Sequence, residues 1–283
     1  MKLIIDNGST KTDWIAIDDS SNILLETQTL GLNPQVLTEA IIEERIINNY
    51  DLYRIRNEVS SIHFYGAGCG TEPPRKLMGD VLKSIFQNAT SSVREDTYAA
   101  VYAITDPGVP SIVCILGTGS NCSYYDGQNI HQKITSLGYI LMDDASGNYF
   151  GRQLLRDYYF HKIPQPLADT FADEFNLGPE DIKTNLYKKA NPNTYLATFA
   201  KFLIVNKNEP YAHALINKGI GLFIENQIFQ FENAKELPVH FIGSIAYYLK
   251  TELESQLVSH GLQLGKILKK PIEGLVSYHQ SQD

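Results

Sequence analysis

Residues 111–134 read Ser-Ile-Val-Cys-Ile-Leu-Gly-Thr-Gly-Ser-Asn-Cys-Ser-Tyr-Tyr-Asp-Gly-Gln-Asn-Ile-His-Gln-Lys-Ile. The first six are apolar and β-prone, Gly117-Thr118-Gly119-Ser120 is a tight turn, and 121–125 predicts a returning strand. Asp126-Gly127-Gln128-Asn129 then predicts a hairpin turn into a third strand over 130–134. The same plan stands at the N-terminus. Residues 2–5 predict a strand, Asp6-Asn7-Gly8-Ser9-Thr10-Lys11 a polar turn, 12–17 a strand containing Trp14, 18–22 a turn, and 23–27 a third strand. Identity between the copies is low, but the layout is shared, so the chain carries a duplicated hairpin unit with a Gly-rich first turn.

Around these units the spacing of apolar residues predicts helices over 36–49, 74–88 and 98–104, and a strand over 61–65 that runs into Gly66-Ala67-Gly68-Cys69-Gly70. After the second unit the chain reads as mainly helical: 148–160, 166–175, 178–190, 195–206 and 210–232. A strand over 239–242 follows, then Gly243-Ser244, a helix over 245–260 and a short helix from Pro271 onward. Asp106-Pro107-Gly108 interrupts the pattern and places a boundary there, giving domains 1–107 and 108–283, with room for the last helix, about 271–283, to pack back on the first.

A chain of 283 residues is long for one small core. Its net charge of −8 gives no electrostatic reason to seek nucleic acid or anionic lipid. The apolar runs are strand-sized, and the start MKLIIDNGST is too short in apolar residues for a secretory signal, so no membrane partner is expected. Three cysteines, Cys69, Cys114 and Cys122, lie at no metal-like spacing and fit a reducing, cytoplasmic setting.

A phosphate ligand must therefore be held locally. Backbone N–H groups converging in a Gly-rich turn can hold one without a basic side chain, because glycine lets the backbone come close. Both repeated turns have this chemistry. No Gly-x-x-x-x-Gly-Lys-Ser/Thr and no Gly-x-Gly-x-x-Gly occurs, which excludes the P-loop and the dinucleotide fingerprint. The stretch Asp6 to Thr12 resembles the first phosphate motif of the actin, hexokinase and Hsp70 superfamily. Ile115 to Cys122 resembles the second, and Phe241-Ile242-Gly243-Ser244-Ile245-Ala246 resembles its adenosine motif. Within that superfamily the chain is most similar to the BadF/BadG/BcrA/BcrD-type ATPase group, which includes N-acetylglucosamine kinase. The resemblance implies an α/β fold of two ribonuclease H-like, actin-like domains with a nucleotide cleft between them. It implies ATP and Mg²⁺ as cofactors and transfer of a phosphoryl group to an amino-sugar hydroxyl, on N-acetylglucosamine or a related N-acetylhexosamine. A homodimer is an assembly such kinases commonly form.

The same resemblance assigns residues. Gly8, Ser9, Thr10, Lys11, Gly117, Thr118, Gly119, Ser120, Gly243 and Ser244 are the expected nucleotide contacts, and Asp6 is the carboxylate on the metal side. Asp96, before a helix in Val93-Arg94-Glu95-Asp96-Thr97, matches the family's catalytic base, and it is equally a good helix N-cap. Leu141-Met142-Asp143-Asp144-Ala145-Ser146 resembles the family's Gly-Asp-Glu-Gly-Ser, with Asp143 as the carboxylate that accepts hydrogen bonds from sugar hydroxyls; either Asp could instead cap the next helix. Asn33 and Asn121 complete the expected sugar contacts. The family carries Gly-Trp where this chain has Ser136 and Leu137, and a Gly where it has Met142, so the sugar pocket is expected to grip the 2-substituent differently. Two other functions remain open: an activator ATPase of a dehydratase or reductase, which shares an iron–sulfur cluster through cysteines, and a sugar-sensing protein without turnover.

Overall fold

The computed structural model describes residues 1–8, 10–20 and 22–280. It divides into two compact units, Met1–Thr105 with Lys270–Asp283, and Asp106–Lys269.

The first unit is built on β1 (Lys2–Asn7), β2 (Lys11–Ile17), β3 (Ile23–Leu30), α1 (Glu39–Ile47), α2 (Tyr50–Ile55), β4 (Ser61–Gly66), α3 (Glu72–Ile85), β5 (Thr90–Glu95) and α4 (Asp96–Ile104). Its sheet runs β3-β2-β1-β4-β5, antiparallel through the first three strands and parallel from β1 to β5. Strand side chains alternate between faces, so β1 splits its apolar run. Leu3 and Ile5 join Trp14 and Ala16 under α1–α3, while Ile4 packs with Ile15, Ile17 and Tyr65 on the opposite face. A strand apolar on both faces is the mark of a covered sheet. Each large side chain buried there contributes roughly 1.5–3 kcal/mol.

The second unit holds β6 (Ser111–Leu116), β7 (Ser120–Tyr125), β8 (Ile130–His131), α5 (Gly147–Tyr159), α6 (Gln165–Glu174), α7 (Pro179–Tyr187), α8 (Pro192–Thr198), α9 (Ala200–Val205), α10 (Pro210–Asn226), β9 (Pro238–Ile242), α11 (Ser244–Tyr248), α12 (Lys250–Ser259) and β10 (Gln263–Leu268). The sheet order β8-β7-β6-β9-β10 repeats that of the first unit, again with three antiparallel strands followed by two parallel ones. The expected α/β class with a duplicated, ribonuclease H-like sheet is thus what the structure shows. The last helix, α13 (Pro271–Gln280), belongs to the first unit. It packs on α4 so closely that a Cβ on Gly274 would lie 2.1 Å from the Ala103 carbonyl oxygen. Tyr65 Oη and His279 Nε2 share a buried 2.9 Å hydrogen bond beneath it.

Several elements depart from the sequence reading. The strand expected over 130–134 is only two residues long. The helix expected over 195–206 breaks between Thr198 and Ala200, that over 245–260 breaks at Leu249, and that over 210–232 ends at Asn226. α2 and β10 were not foreseen. β10 escapes a period-2 reading because its register shifts between Leu264 and Ile267. The buried ring of His240 fills that shift: its Nδ1 accepts from Lys266 N at 2.8 Å, and a Cβ on Gly265 would lie 2.3 Å from it. Among the described residues no helix is long and apolar enough to cross a membrane.

Candidate active site

In the first unit the expected residues gather where β1, β4 and β5 end, since Asp6 pairs with Tyr65, Asn7 with Gly66, and Gly66 with Glu95. Carboxyl ends of parallel strands are where open α/β sheets bind ligands. The turn after β1 is closed by Gly8 N donating to Lys11 O at 3.0 Å. Ser9 lies outside the described residues. Thr10 is exposed, and its carbonyl accepts from Gly31 N at 2.9 Å. Asn7, which the sequence reading passed over, fixes this turn from within. It is fully buried, and its Oδ1 accepts from Thr12 Oγ1 and from Leu32 N, each at 2.7 Å. Lys11 opens β2 and turns to Asp13, with Nζ 3.1 Å from that carboxylate.

Asp6 is half-buried, and burial, reinforced by the like charges of Asp13 and Asp96, pushes its carboxyl up to about 7. Asp96 is not the N-cap of α4. Glu95 takes that place with extended backbone, and Asp96 is the first helical residue. Its carboxylate accepts from its own N–H and that of Thr97, yet burial and then Glu95 raise it to about 6. Asn33 lies against the Gly66–Gly70 loop: a Cβ on Gly68, which has φ +85°, would lie 2.1 Å from its Oδ1. That same oxygen accepts from Gln35 N at 2.9 Å, the Asx turn of the Asn-Pro pair.

In the second unit the Gly-rich turn is closed by Gly117 N donating to Gly119 O at 3.0 Å. Asp143 lies directly on it, because a Cβ on Gly119 would come 2.8 Å from Asp143 Oδ2. The Asp143 carboxylate accepts from Asn148 Nδ2 at 2.8 Å and from Ser120 N, while burial raises its pKa. Asp143 and Ala145 both hold positive φ, 68° and 58°. Neither Asp143 nor Asp144 caps α5. Ser146 does, accepting from Tyr149 N at 3.2 Å, and Asp144 instead accepts from Asn226 Nδ2 at 2.9 Å. The first N–H groups of α5 are taken by the turn: Gly147 N donates to Gly117 O and Asn148 N to Thr118 O. Gly243, with φ +121°, presses its backbone on Leu116 O, so Ser244 at the start of α11 lies beside the same turn. Asn121, Ser120 and Asp143 line one small pocket with Ile134, Ser136, Met142 and Gln227. Leu137, which stands where the family carries Trp, does not line this pocket and is 59% exposed.

The donor chemistry fits a hydrated divalent cation. Asp6, Asp13 and Asp96 are hard oxygen donors of like charge, and Mg²⁺ binds through one or two carboxylates, waters and phosphate oxygens rather than through an all-protein cage. Among the described residues no three His, Cys, Asp or Glu side chains converge on one point. Gly117 fits close approach of a phosphate, since a Cβ there would meet nothing within 4 Å.

No protein-family model and no curated protein matches this chain. Among solved structures, a protein of Porphyromonas gingivalis provisionally named N-acetylglucosamine kinase is 33% identical and matches with a TM-score of 0.92 over 99% of both chains. A Chromobacterium violaceum protein under the same provisional name is 17% identical, with a TM-score of 0.72 over 98% of both chains. A ROK family glucokinase from Streptomyces griseus, solved with glucose and AMPPNP, is 14% identical, with a TM-score of 0.60 over 98% of this chain and 97% of that one. At such identities the last two speak for the fold alone.

Proposed function

We propose that this chain, which belongs to the family of the Porphyromonas gingivalis protein provisionally named N-acetylglucosamine kinase, is an ATP-dependent sugar kinase acting on a hydroxyl of an amino sugar, N-acetylglucosamine or a related N-acetylhexosamine. The observation that carries the reading is Asp143 lying on Gly119: a carboxylate suited to sugar hydroxyls and a turn suited to phosphate share one spot.

ATP would supply the phosphoryl group, and Mg²⁺ would neutralise charge on the phosphate oxygens. Asp6 is the residue to orient the hydrated cation, and the turns at Gly8–Lys11 and Gly117–Ser120, with Gly243 and Ser244, hold the nucleotide. Asp143 accepts hydrogen bonds from neighbouring sugar hydroxyls, with Asn121 and Asn33 as further contacts. Asp96 takes the proton of the attacking hydroxyl. A carboxyl raised to about 6 is a stronger base than an ordinary Asp and still mostly ionised at neutral pH.

The activator reading finds less support. All three thiols are buried, and burial pushes those of Cys69 and Cys114 up, to about 12 for Cys69 and well above the ordinary value for Cys114. Thiols so placed are poor ligands for a cluster shared with a second subunit.

The experiment is ADP release with ATP and Mg²⁺ across a panel of amino sugars and hexoses. Turnover stimulated at least about tenfold by an amino sugar over plain ATP hydrolysis is expected. Stimulation by no sugar in the panel would overturn the reading.

A further inference from the structure

Asp143 follows a turn whose side chains are only partly buried. Leu141 N and Met142 N both donate to Gly138 O, at 3.3 and 3.0 Å, and Leu137 N points to Met142 Sδ, so these bonds close the turn on itself. Of its side chains, Tyr139 packs against the core of the second unit, whereas Ile140 and Leu141 are 68% and 72% exposed. Yet the residues that follow hold a costly geometry. Positive φ at Asp143 and Ala145 costs on the order of 1 kcal/mol each and persists only where the surroundings impose it.

A further tie, to the backbone itself, comes from α5. Arg152 Nη1 donates to Tyr139 O at 2.7 Å and to Ile140 O at 2.8 Å. Residues four apart share one face of a helix, and one turn before Arg152 stands Asn148, whose Nδ2 holds the Asp143 carboxylate. One face of α5 therefore grips both the carboxylate and the backbone that leads to it. α5 is itself fixed independently of Arg152, through the bonds of Gly147 N and Asn148 N to the second Gly-rich turn and through its Ser146 cap.

We propose that Arg152 is a positioning residue for the sugar: it makes no part of the reacting centre, but holds the 138–142 turn so that Asp143 meets the sugar hydroxyls in a fixed place. The proposal rests on the sugar-kinase reading. The guanidinium bonds two carbonyls, its charge also reaches the Asp143 carboxyl and draws it down, and the nucleotide turn is held without it.

The test uses the full chain with Arg152→Gln and Arg152→Lys, measuring KM for N-acetylglucosamine and for ATP, and backbone amide exchange by mass spectrometry. For Arg152→Gln the sugar KM is expected to rise by about tenfold or more, with the ATP KM within about twofold. Exchange over 137–143 should quicken while that of the second Gly-rich turn stays as in the wild type. Arg152→Lys, which keeps both a donor of similar reach and the positive charge, should recover most of the sugar affinity. An unchanged sugar KM, a parallel rise in both KM values, or a Lys variant no better than Gln would each overturn the proposal. Exchange that quickens without a change in sugar KM would reduce Arg152 to a structural tie and overturn it as well. If the wild type acts on no sugar, the sugar-kinase reading falls, while exchange still decides whether Arg152 holds the turn.

Discussion

Asp6 and Asp13 stand directly opposite one another across the antiparallel β1–β2 ladder, two carboxylates at one register position. Like charges so paired repel. Lys11 at 3.1 Å and Lys270 at 3.8 Å pair with Asp13, and the charge of each also draws the Asp6 carboxyl down. Burial outweighs them and, with the like charges of Asp13 and Asp96 added, raises the Asp6 carboxyl to about 7. Between the ordinary Asp value of 3.8 and about 7 the folded protein keeps a proton that the unfolded chain has lost, so stability falls as pH rises through that window. Without nucleotide or divalent cation, Asp6→Asn should therefore stabilise the protein above pH 7, by at most about 4 kcal/mol, with the gain fading toward pH 4. The same variant should lose Mg²⁺-dependent turnover. Urea unfolding of both proteins between pH 4 and 8 checks the first claim; a gain that does not depend on pH would show that Asp6 carries no such strain.

Asp96→Asn should lower kcat by at least about a hundredfold while ATP affinity stays within about twofold, because the amide keeps the side-chain shape but cannot take a proton. In the wild type kcat/KM should fall as pH drops through about 6, since the base works only when ionised and burial holds it near that value. Initial rates from pH 5 to 8 check both. Near-normal turnover of a folded Asp96→Asn protein would remove Asp96 from the role of base.

What could be read in the sequence was local. Strand, glycine turn and strand follow one another within about twenty residues, so both hairpin units and both turns were legible from alternation and turn chemistry alone. Residues whose partners lie far along the chain, or are main-chain atoms, were not. Asn7 binds Leu32 N, and Arg152 binds two carbonyls, contacts that leave no pattern in side-chain type. The cap of α5, an alternative role for Asp143 or Asp144, falls to neither for a related reason. Asp143 and Asp144 have the right chemistry for a cap, but positive φ at Asp143 and Ala145 turns the chain so that Ser146 arrives there instead. β10 was lost to a bulge shaped around the ring of His240, a residue more than twenty positions earlier.

Met142 lines the pocket beside Asp143 and Asn121, whereas Leu137 does not. Met142→Ala should open that side and shift the kcat/KM ratio between N-acetylglucosamine and glucosamine by about tenfold or more, within the roughly 1–3 kcal/mol that a hydrophobic pocket can discriminate. Leu137→Trp should move the same ratio by less than about twofold. The opposite ranking of the two variants would mean that the 2-substituent is read outside this pocket.

Gly243 and Gly117 make a paired test of which glycines serve the fold and which serve a ligand. A Cβ on Gly243 would sit 2.2 Å from Leu116 O and 2.7 Å from Leu116 C, and its φ of +121° is strained for any side chain. Gly243→Ala must therefore push apart the ends of β9 and β6. Left-handed backbone and overpacking together should cost about 3 kcal/mol and lower Tm by roughly 10 °C. At Gly117 a Cβ would meet nothing within 4 Å, so Gly117→Ala should leave Tm within about 2 °C. That open space is where a phosphate would approach, and the added methyl should raise the KM for ATP by about tenfold or more without a matching change for the sugar. Thermal unfolding and steady-state kinetics of the two variants separate the roles. If Gly117→Ala binds ATP as well as the wild type does, the open side of this turn is not where phosphate is held.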